Sequence, residues 1–382
     1  MGRTYVLRVA GIILIICLCS ALVCSQDLSG IEIHGFATQG LLYSTHNNYL
    51  TTESSSGSLQ WTQGAISVTD SVTDNLRVGI QLRMYQLGQL GGPNIQVDWA
   101  LGDYRINDMF GIRAGKVKTV YALFNDSQDL DSVFLWSFLP ECSYPVDNES
   151  FYLSHLGGDV YGTVPLGKRA GKLRYDGYIG EVYLDLNGGY AKQASDEGIN
   201  FTSAPSGKTY GGDLRWQPVS GLTVGASAFV EGLDGSAPGA TLHVAPFTVV
   251  GEYAQFVKGK WYFGGEHDRA PFDDVFTTPE GVLRLPIDAR SWFAMTSYRL
   301  SRKLQVGTYY GHFVNEALDT SLPSNYLKDW ALSSRYDFNS YFYAKLEDHF
   351  MHGYGLGFYD STNPGGYKPN SNILAAKVGF SF

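Results

Sequence analysis

The sequence predicts an all-β fold, a transmembrane antiparallel up-and-down β-barrel of about sixteen strands. Three observations lead to this prediction. The composition favours strands and turns, apolar and polar residues alternate with period two, and short turns alternate with long connections along the chain. Strict alternation requires one apolar and one wet side, which a lipid-exposed wall around a water-filled lumen supplies.

The composition is that of a strand-rich protein. The 382 residues include 26 Tyr, 21 Phe and 45 Gly, and only 17% are charged, so strand and turn formers outweigh helix formers. Mean hydropathy is −0.12, whereas a helical membrane protein would need several apolar runs of about 20 residues. The formal net charge of −9 argues against nucleic acid as a partner.

One apolar run exists, at residues 9–23, and it follows Arg3 and Arg8. A basic start, an apolar middle and small residues at the end predict a signal peptide over residues 1–25, with the barrel over 26–382. A lipoprotein acylated at Cys24 and a retained membrane anchor are the alternatives. After removal of the signal peptide the chain keeps a single cysteine, so backbone pairing rather than disulfides must stabilise the fold.

Alternation is clearest over residues 76–84. The apolar face carries Leu76, Val78, Ile80, Leu82 and Met84, and the polar face carries Arg77, Gly79, Gln81 and Arg83. In a soluble sandwich the apolar face would be core, and in a membrane barrel it would face lipid. The turn pattern decides between the two.

Short turns are predicted at residues 70–75, 105–109, 167–171, 218–221, 245–247, 299–303 and 337–340. Longer connections are predicted at residues 44–58, 85–94, 125–149, 185–208, 232–239, 258–288, 315–327 and 353–371. Tight turns at one end and long external loops at the other are typical of membrane barrels. The hairpins and the two terminal strands give about sixteen strands, enough for a water-filled lumen.

The last strand alternates to the final residue, Phe382. Leu374, Ala376, Val378, Phe380 and Phe382 share one face. This ending resembles the terminal signature that the barrel assembly machinery reads in bacterial outer-membrane barrels, and it predicts Phe382 as an assembly signal. The alternative is an ordinary edge strand, which would be an aggregation liability in a soluble domain.

Residues 95–105, 111–118 and 123–126 resemble Gram-negative outer-membrane porins, most of all the phosphate-selective porin group. The resemblance covers about 40 residues in motif and the whole barrel in architecture. It implies sixteen strands, a homotrimer and a long third external loop folded into the lumen to narrow it. The sequence has no long arginine ladder, so phosphate specificity is not expected.

Charged residues on the polar faces suggest where selectivity lies. The predicted pore-lining bases are Arg77, Arg83, Lys116, Lys118, Arg174, Arg335 and Lys345, and the predicted acids of the constriction loop are Asp126, Asp129, Asp131 and Glu141. The same loop carries an apolar stretch, residues 134–140, that folding inward would hide. Our hypothesis is an eyelet in which loop acids face wall bases; the alternative is that these charges only solvate the lumen and the loop.

These features predict a porin for passive diffusion of small hydrophilic solutes and ions, located in the bacterial outer membrane with lipid around it. A substrate-selective channel for organic anions or sugars, a barrel enzyme and an adhesin remain alternatives. No catalytic constellation and no cofactor is expected. Glu347, His349 and His352 lie close together near a strand end, but we interpret them as polar residues rather than as a metal site.

Overall fold

The computed structural model describes residues 30–382, and the predicted signal peptide lies outside them. The described chain forms sixteen strands in the order of the sequence. They are β1 (Ile31–Ser44), β2 (Ser58–Ser71), β3 (Leu76–Leu87), β4 (Leu90–Asn107), β5 (Phe110–Lys118), β6 (Ser154–Pro165), β7 (Lys172–Tyr183), β8 (Ser206–Gln217), β9 (Leu222–Ala237), β10 (Ala240–Lys258), β11 (Trp261–Thr278), β12 (Gly281–Arg299), β13 (Leu304–Asn315), β14 (Tyr326–Asp337), β15 (Phe342–His352) and β16 (Asn370–Ser381).

The strands close into one antiparallel barrel in which each pairs with its neighbours in the chain. Closure joins β1 to β16, with Phe36 opposite Ser381 and Ser44 opposite Ile373. A closed barrel leaves no unpaired sheet edge, which is why it is stable in lipid. The predicted sixteen-stranded barrel is confirmed.

Helices are few and short among the described residues. They are the α-helices Glu149–Tyr152 and Gly189–Asp196 and the 3₁₀ turns Ser54–Ser56, Asp131–Val133, Pro323–Asn325 and Asp360–Thr362. None of the helices in residues 30–382 is long and apolar enough to cross a membrane.

Most predicted turns fall between strands, but the region from β9 to β12 differs. Residues 245–247 are not a turn: they lie inside β10, where the register shifts between Val244 and Phe247. Pro246 lacks an N–H to donate, so it forces this bulge rather than a turn. The turn is at Gly259, whose φ of 63° favours glycine.

Three predicted long connections are also wrong. Residues 232–239 and 258–288 belong largely to β9–β12, which have 16, 19, 18 and 19 residues and are joined by tight turns. Residues 85–94 likewise hold only a two-residue break between β3 and β4. Glycine, proline and aspartate in these segments indicated loops, but pairing with neighbouring strands outweighed those local preferences.

The barrel is apolar outside and mixed inside, as the alternation predicts. On β16 Leu374, Val378 and Phe382 are exposed, whereas Ile373 and Lys377 are buried. The hydrophobic core therefore lies within the barrel, where inward side chains meet loops folded into it. We refer to the end with the long loops as the loop end and to the other as the turn end.

Candidate functional site

Loop L3, residues 119–153 between β5 and β6, folds into the barrel as the sequence predicts. Its apolar stretch, residues 134–140, explains why. Phe138 is 2% exposed and stacks on Trp61 with ring centroids 4.5 Å apart. Burying an aromatic side chain of this size is worth roughly 1.5–3 kcal/mol. The inner part of the loop, residues 120–126, is called the L3 tip below.

The L3 tip reaches the wall at β8, β9 and β11. The Tyr121 hydroxyl donates to Asp268 on β11 at 2.7 Å. The N–H of Ala122 donates to Ser227 Oγ on β9 at 2.9 Å, and Arg215 on β8 donates to the Ala122 carbonyl at 2.8 Å. Bonds to three separate strands therefore hold the tip across the lumen.

Asp131 binds the middle of L3 to β15 and β16. Its Oδ1 lies 2.6 Å from Lys377 Nζ and its Oδ2 lies 3.0 Å from Lys345 Nζ. The Tyr343 hydroxyl donates to it at 2.9 Å, and Lys345 also donates to the carbonyl of Trp136 at 2.8 Å. Both lysines therefore contact the loop rather than a gap between wall and loop.

Glu347 on β15 forms a second buried anchor. It accepts hydrogen bonds from the N–H groups of Ser137 at 3.0 Å and Phe138 at 2.9 Å. His349 Nε2 lies 3.0 Å from Glu347, and its Nδ1 lies 2.9 Å from Asp329. The imidazole thus orients the carboxylate that receives the loop.

Two further ion pairs join L3 to β3 and to the end of β5. Arg83 lies 2.6 Å from Glu149. Lys118 Nζ lies 2.8 Å from Asp129 and 2.7 Å from Asp98. Removing one partner of a buried ion pair typically costs about 3–5 kcal/mol, so these contacts hold the loop firmly.

Asp129 and Asp131 therefore form ion pairs with lysines directly, instead of facing wall bases across an open eyelet. Glu141 behaves differently: it is 2% exposed, accepts from the Val146 N–H at 3.2 Å, and takes part in none of the ion pairs between described residues. Burial, and then the neighbouring Asp147, raise the pKa of Glu141 well above its usual value. It belongs to the interior of the loop.

The prediction of which β5 side chains point into the lumen is wrong. Arg113 points into the lumen, where its guanidinium lies 3.5 Å from Asp176. Lys116 lies on the other face, opposite Leu156 of β6, a residue 52% exposed on the outside of the barrel. Its ammonium donates to the Val97 carbonyl at 2.7 Å, on the part of β4 that has no partner in β5. Lys116 therefore does not point into the lumen beside L3, but it lines a separate cavity of about 520 Å³ with Arg83, Asp98 and Glu149.

The alternation of apolar and polar residues could not predict which side chains of β5 face the lumen, because the inside of the barrel at the end of this strand holds both apolar and charged side chains. Val117 is apolar, yet it is 1% exposed inside the barrel. Lys118 has the same parity as Lys116, but it is the last residue of the strand, so its side chain can turn inward to Asp129.

The other predicted wall bases lie inside the barrel. Arg77 and Arg174 line a cavity of about 270 Å³ on the turn-end side of the L3 tip. Arg335 donates to the Phe134 carbonyl at 2.9 Å, and its guanidinium carbon lies 4.2 Å from the centre of the Tyr343 ring.

Sequence reasoning missed several inward-facing charges on β8–β11. They are Arg215, Glu231, Glu266, Asp268 and Asp274, and all the acids among them are at most 8% exposed. Glu266, Asp268 and Asp274 were missed because they fall in the predicted long connection at residues 258–288. The period-two spacing of Glu266 and Asp268 was the signal that could have found them.

The L3 tip separates two cavities. Tyr121 and Asn125 line a cavity of about 330 Å³ on the loop-end side. Val120 and Asp126 line the turn-end cavity of about 270 Å³. Neighbouring residues of one segment thus face opposite compartments, and the tip forms the constriction between them.

A closed sixteen-stranded barrel whose third connection at the loop end folds into a charged lumen has the architecture of outer-membrane barrels. No family model and no curated protein matches the sequence. The anion-selective porin from Comamonas acidovorans matches the structure with a TM-score of 0.60 at 11% identity, over 92% of this chain and 99% of that one.

Two other solved structures are similar. OmpF of Salmonella typhi, in complex with daunomycin, matches with a TM-score of 0.56 at 12% identity, over 92% of this chain and 97% of that one. The outer membrane channel DcaP of Acinetobacter baumannii matches with a TM-score of 0.54 at 11% identity, over 94% and 99%. At these identities the likeness shows a shared fold, that of outer-membrane porins.

Proposed function

We propose that this chain is a porin that lets small hydrophilic solutes and ions diffuse passively across the outer membrane of a Gram-negative bacterium. The observation that carries the proposal is the L3 tip, which forms a constriction between two cavities inside a closed barrel. The similarity to porin structures supports it. A barrel of this size encloses an aqueous passage whose width its inner loop sets.

In this proposal the wall bases position L3 as well as lining the passage. Arg83, Lys118 and Lys345 are neutralised by loop carboxylates, whereas Arg77 and Arg174 face the turn-end cavity. The strength of the ion pairs between L3 and the barrel wall therefore sets the conductance. Phosphate selectivity is not proposed, because Arg113 and Arg174 in that cavity already pair with Asp176.

Conductance measurements on the purified, folded barrel test the proposal. We expect single-channel steps in planar bilayers, and liposome swelling that falls as the sugar used becomes larger. Arg215→Met removes a bond to the L3 tip and should increase the conductance, whereas Arg302→Met, in an exposed turn, should not. A folded barrel with neither conductance nor swelling would contradict the proposal and favour an enzyme or an adhesin.

We also propose that the barrel is a homotrimer. Gln39 and Thr62 lie on the outward face of β1 and β2, and Thr62 donates to Gln39 at 2.7 Å. Polar side chains are costly against lipid, so a contact between subunits is the better environment for this pair. Native mass spectrometry of the detergent-solubilised protein should show three copies, and Gln39→Leu with Thr62→Val should shift the distribution.

A further inference from the structure

The cavity of about 330 Å³ on the loop-end side of the L3 tip, here called the outer chamber, has an unusual lining. Its aromatic residues are Tyr121, Tyr152, Tyr190, Phe229, Phe272 and Phe313. Asp268 and Asp274 supply carboxylates, and no Lys, Arg or His occurs among the described residues that line it. Its volume is that of a pocket for a small organic molecule.

Asp274 is a buried carboxylate of this chamber with an incomplete set of hydrogen bonds. It is 5% exposed, and its Oδ1 has no hydrogen-bond partner. The Tyr190 hydroxyl interacts with this carboxylate, but neither that hydroxyl nor Oδ1 forms a hydrogen bond of full geometry. A buried carboxylate without a cation or a full set of donors is costly, so a positively charged group beside it would be stabilised.

Asp268 lies deeper in the chamber, on the same inward face of β11. Its Oδ1 accepts from Tyr121 at 2.7 Å, whereas Oδ2 accepts from Ser291 at a longer 3.4 Å. The deep end of the chamber therefore also retains capacity to accept a hydrogen bond. The two acids are separated by six residues, about 20 Å along an extended strand.

A second cavity of about 500 Å³ adjoins the outer chamber and shares Tyr190, Gln193 and Asp274 with it. Its other acids are Asp196, Glu197 and Asp360, and again no Lys, Arg or His occurs among the described lining residues. A cation entering these two cavities would thus meet acidic but no basic lining residues. Clefts of this kind raise the local concentration of the opposite charge.

We propose that the outer chamber binds organic cations: amines or quaternary ammonium compounds with an apolar or aromatic body. The carboxylate of Asp274 binds the charge, that of Asp268 offers a second position deeper in the chamber, and the rings supply apolar contact and cation–π attraction. The inference rests on the proposed function, because it identifies a solute class that the channel would capture before the constriction.

Phenyltrimethylammonium tests the inference, because it keeps its charge at every pH. Isothermal titration calorimetry of the folded barrel in detergent should show binding of this cation and none of benzenesulfonate, an anion of similar size. Asp274→Asn should weaken the binding about tenfold. Phe272→Leu should weaken it as well, by removing a ring while keeping an apolar side chain.

The matched control is Asp273→Asn on the same strand. Asp273 is paired with Arg284 at 2.9 Å and does not line the chamber, so its substitution should leave the binding unchanged. Equal binding of cation and anion, or the same affinity in Asp274→Asn and wild type, would overturn the inference. Channel conductance without cation binding would refute only the inference, whereas cation binding without conductance would refute only the proposed channel.

Discussion

Asp131 and Glu141 lie on the same loop in opposite electrostatic settings. Burial opposes the ionisation of both carboxyls. Lys345 and Lys377 nevertheless hold the pKa of Asp131 below its usual value, while Asp147 adds to the effect of burial and raises the pKa of Glu141. Asp131 therefore stays charged under all ordinary conditions, whereas Glu141 takes up a proton more readily when L3 is docked.

We predict that the conductance falls as the pH is lowered through the raised pKa of Glu141. Because the pKa of Glu141 is raised in the docked loop, protonation favours docking, and this stabilisation is lost as the pH rises through the raised pKa. Conductance in planar bilayers over this pH range is the measurement. Glu141→Gln should reduce the pH dependence by mimicking the protonated side chain.

The control for this prediction is Glu280→Gln, because Glu280 is an exposed carboxyl in the turn between β11 and β12. The conductance of this variant should depend on pH as that of the wild type does. A pH response that Glu141→Gln leaves unchanged would place the titrating group elsewhere in the molecule.

At the scale of elements, L3 depends on the pair of lysines that Asp131 joins. Asp131→Asn leaves Lys345 and Lys377 buried without a charged partner, which should destabilise the docked loop by about 3–5 kcal/mol. We expect faster hydrogen exchange at the amides of Ser137 and Phe138, which are bonded to Glu347 in the docked loop. The conductance should increase in parallel.

Asp126→Asn is the matched control, because Asp126 lies on the same loop but takes part in none of the ion pairs between described residues. Its exchange rates at residues 137 and 138 should equal those of the wild type. If Asp131→Asn also exchanged at the wild-type rate, the ion pairs would not be what holds the loop.

The sequence predicted those elements in which local and global preferences agree. The apolar stretch at residues 134–140 placed L3 inside the barrel, and the alternation of β3 and β16 assigned their faces correctly. On β10, Pro246 indicated a turn where pairing on both sides keeps the strand extended. Interstrand pairing is non-local, so a single sequence read locally does not reveal it.

The candidate site was less predictable than the fold. Which charges meet depends on how L3 crosses the lumen, and no spacing in the sequence records the contacts of Tyr121 with Asp268 or of Ala122 with Arg215. The face of Lys116 was missed for a related reason, since the apolar Val117 is buried inside the barrel rather than facing lipid.

At the scale of the whole molecule, closure of the barrel depends on β1 and β16, which meet from opposite ends of the described chain. The backbone N–H of Phe382 donates to the Gly35 carbonyl at 3.0 Å, and the Gly35 N–H donates back at 3.1 Å. The Phe382 side chain is 52% exposed on the outward face. The closure contact at this residue therefore uses backbone atoms, and the ring remains available for recognition.

We propose that the barrel assembly machinery recognises the ring of Phe382. We therefore predict that replacing this ring impairs assembly in cells without destabilising the folded barrel. Phe382→Ser keeps the backbone bonds to Gly35, so refolding in detergent micelles should succeed. Its yield of assembled barrel in cells, measured by heat-modifiable gel mobility, should fall severalfold. Phe342→Ser removes a ring of similar exposure, 51%, near the same end and should assemble normally. Equal losses in both variants would mean that aromatic burial in the membrane, rather than recognition of Phe382, limits assembly.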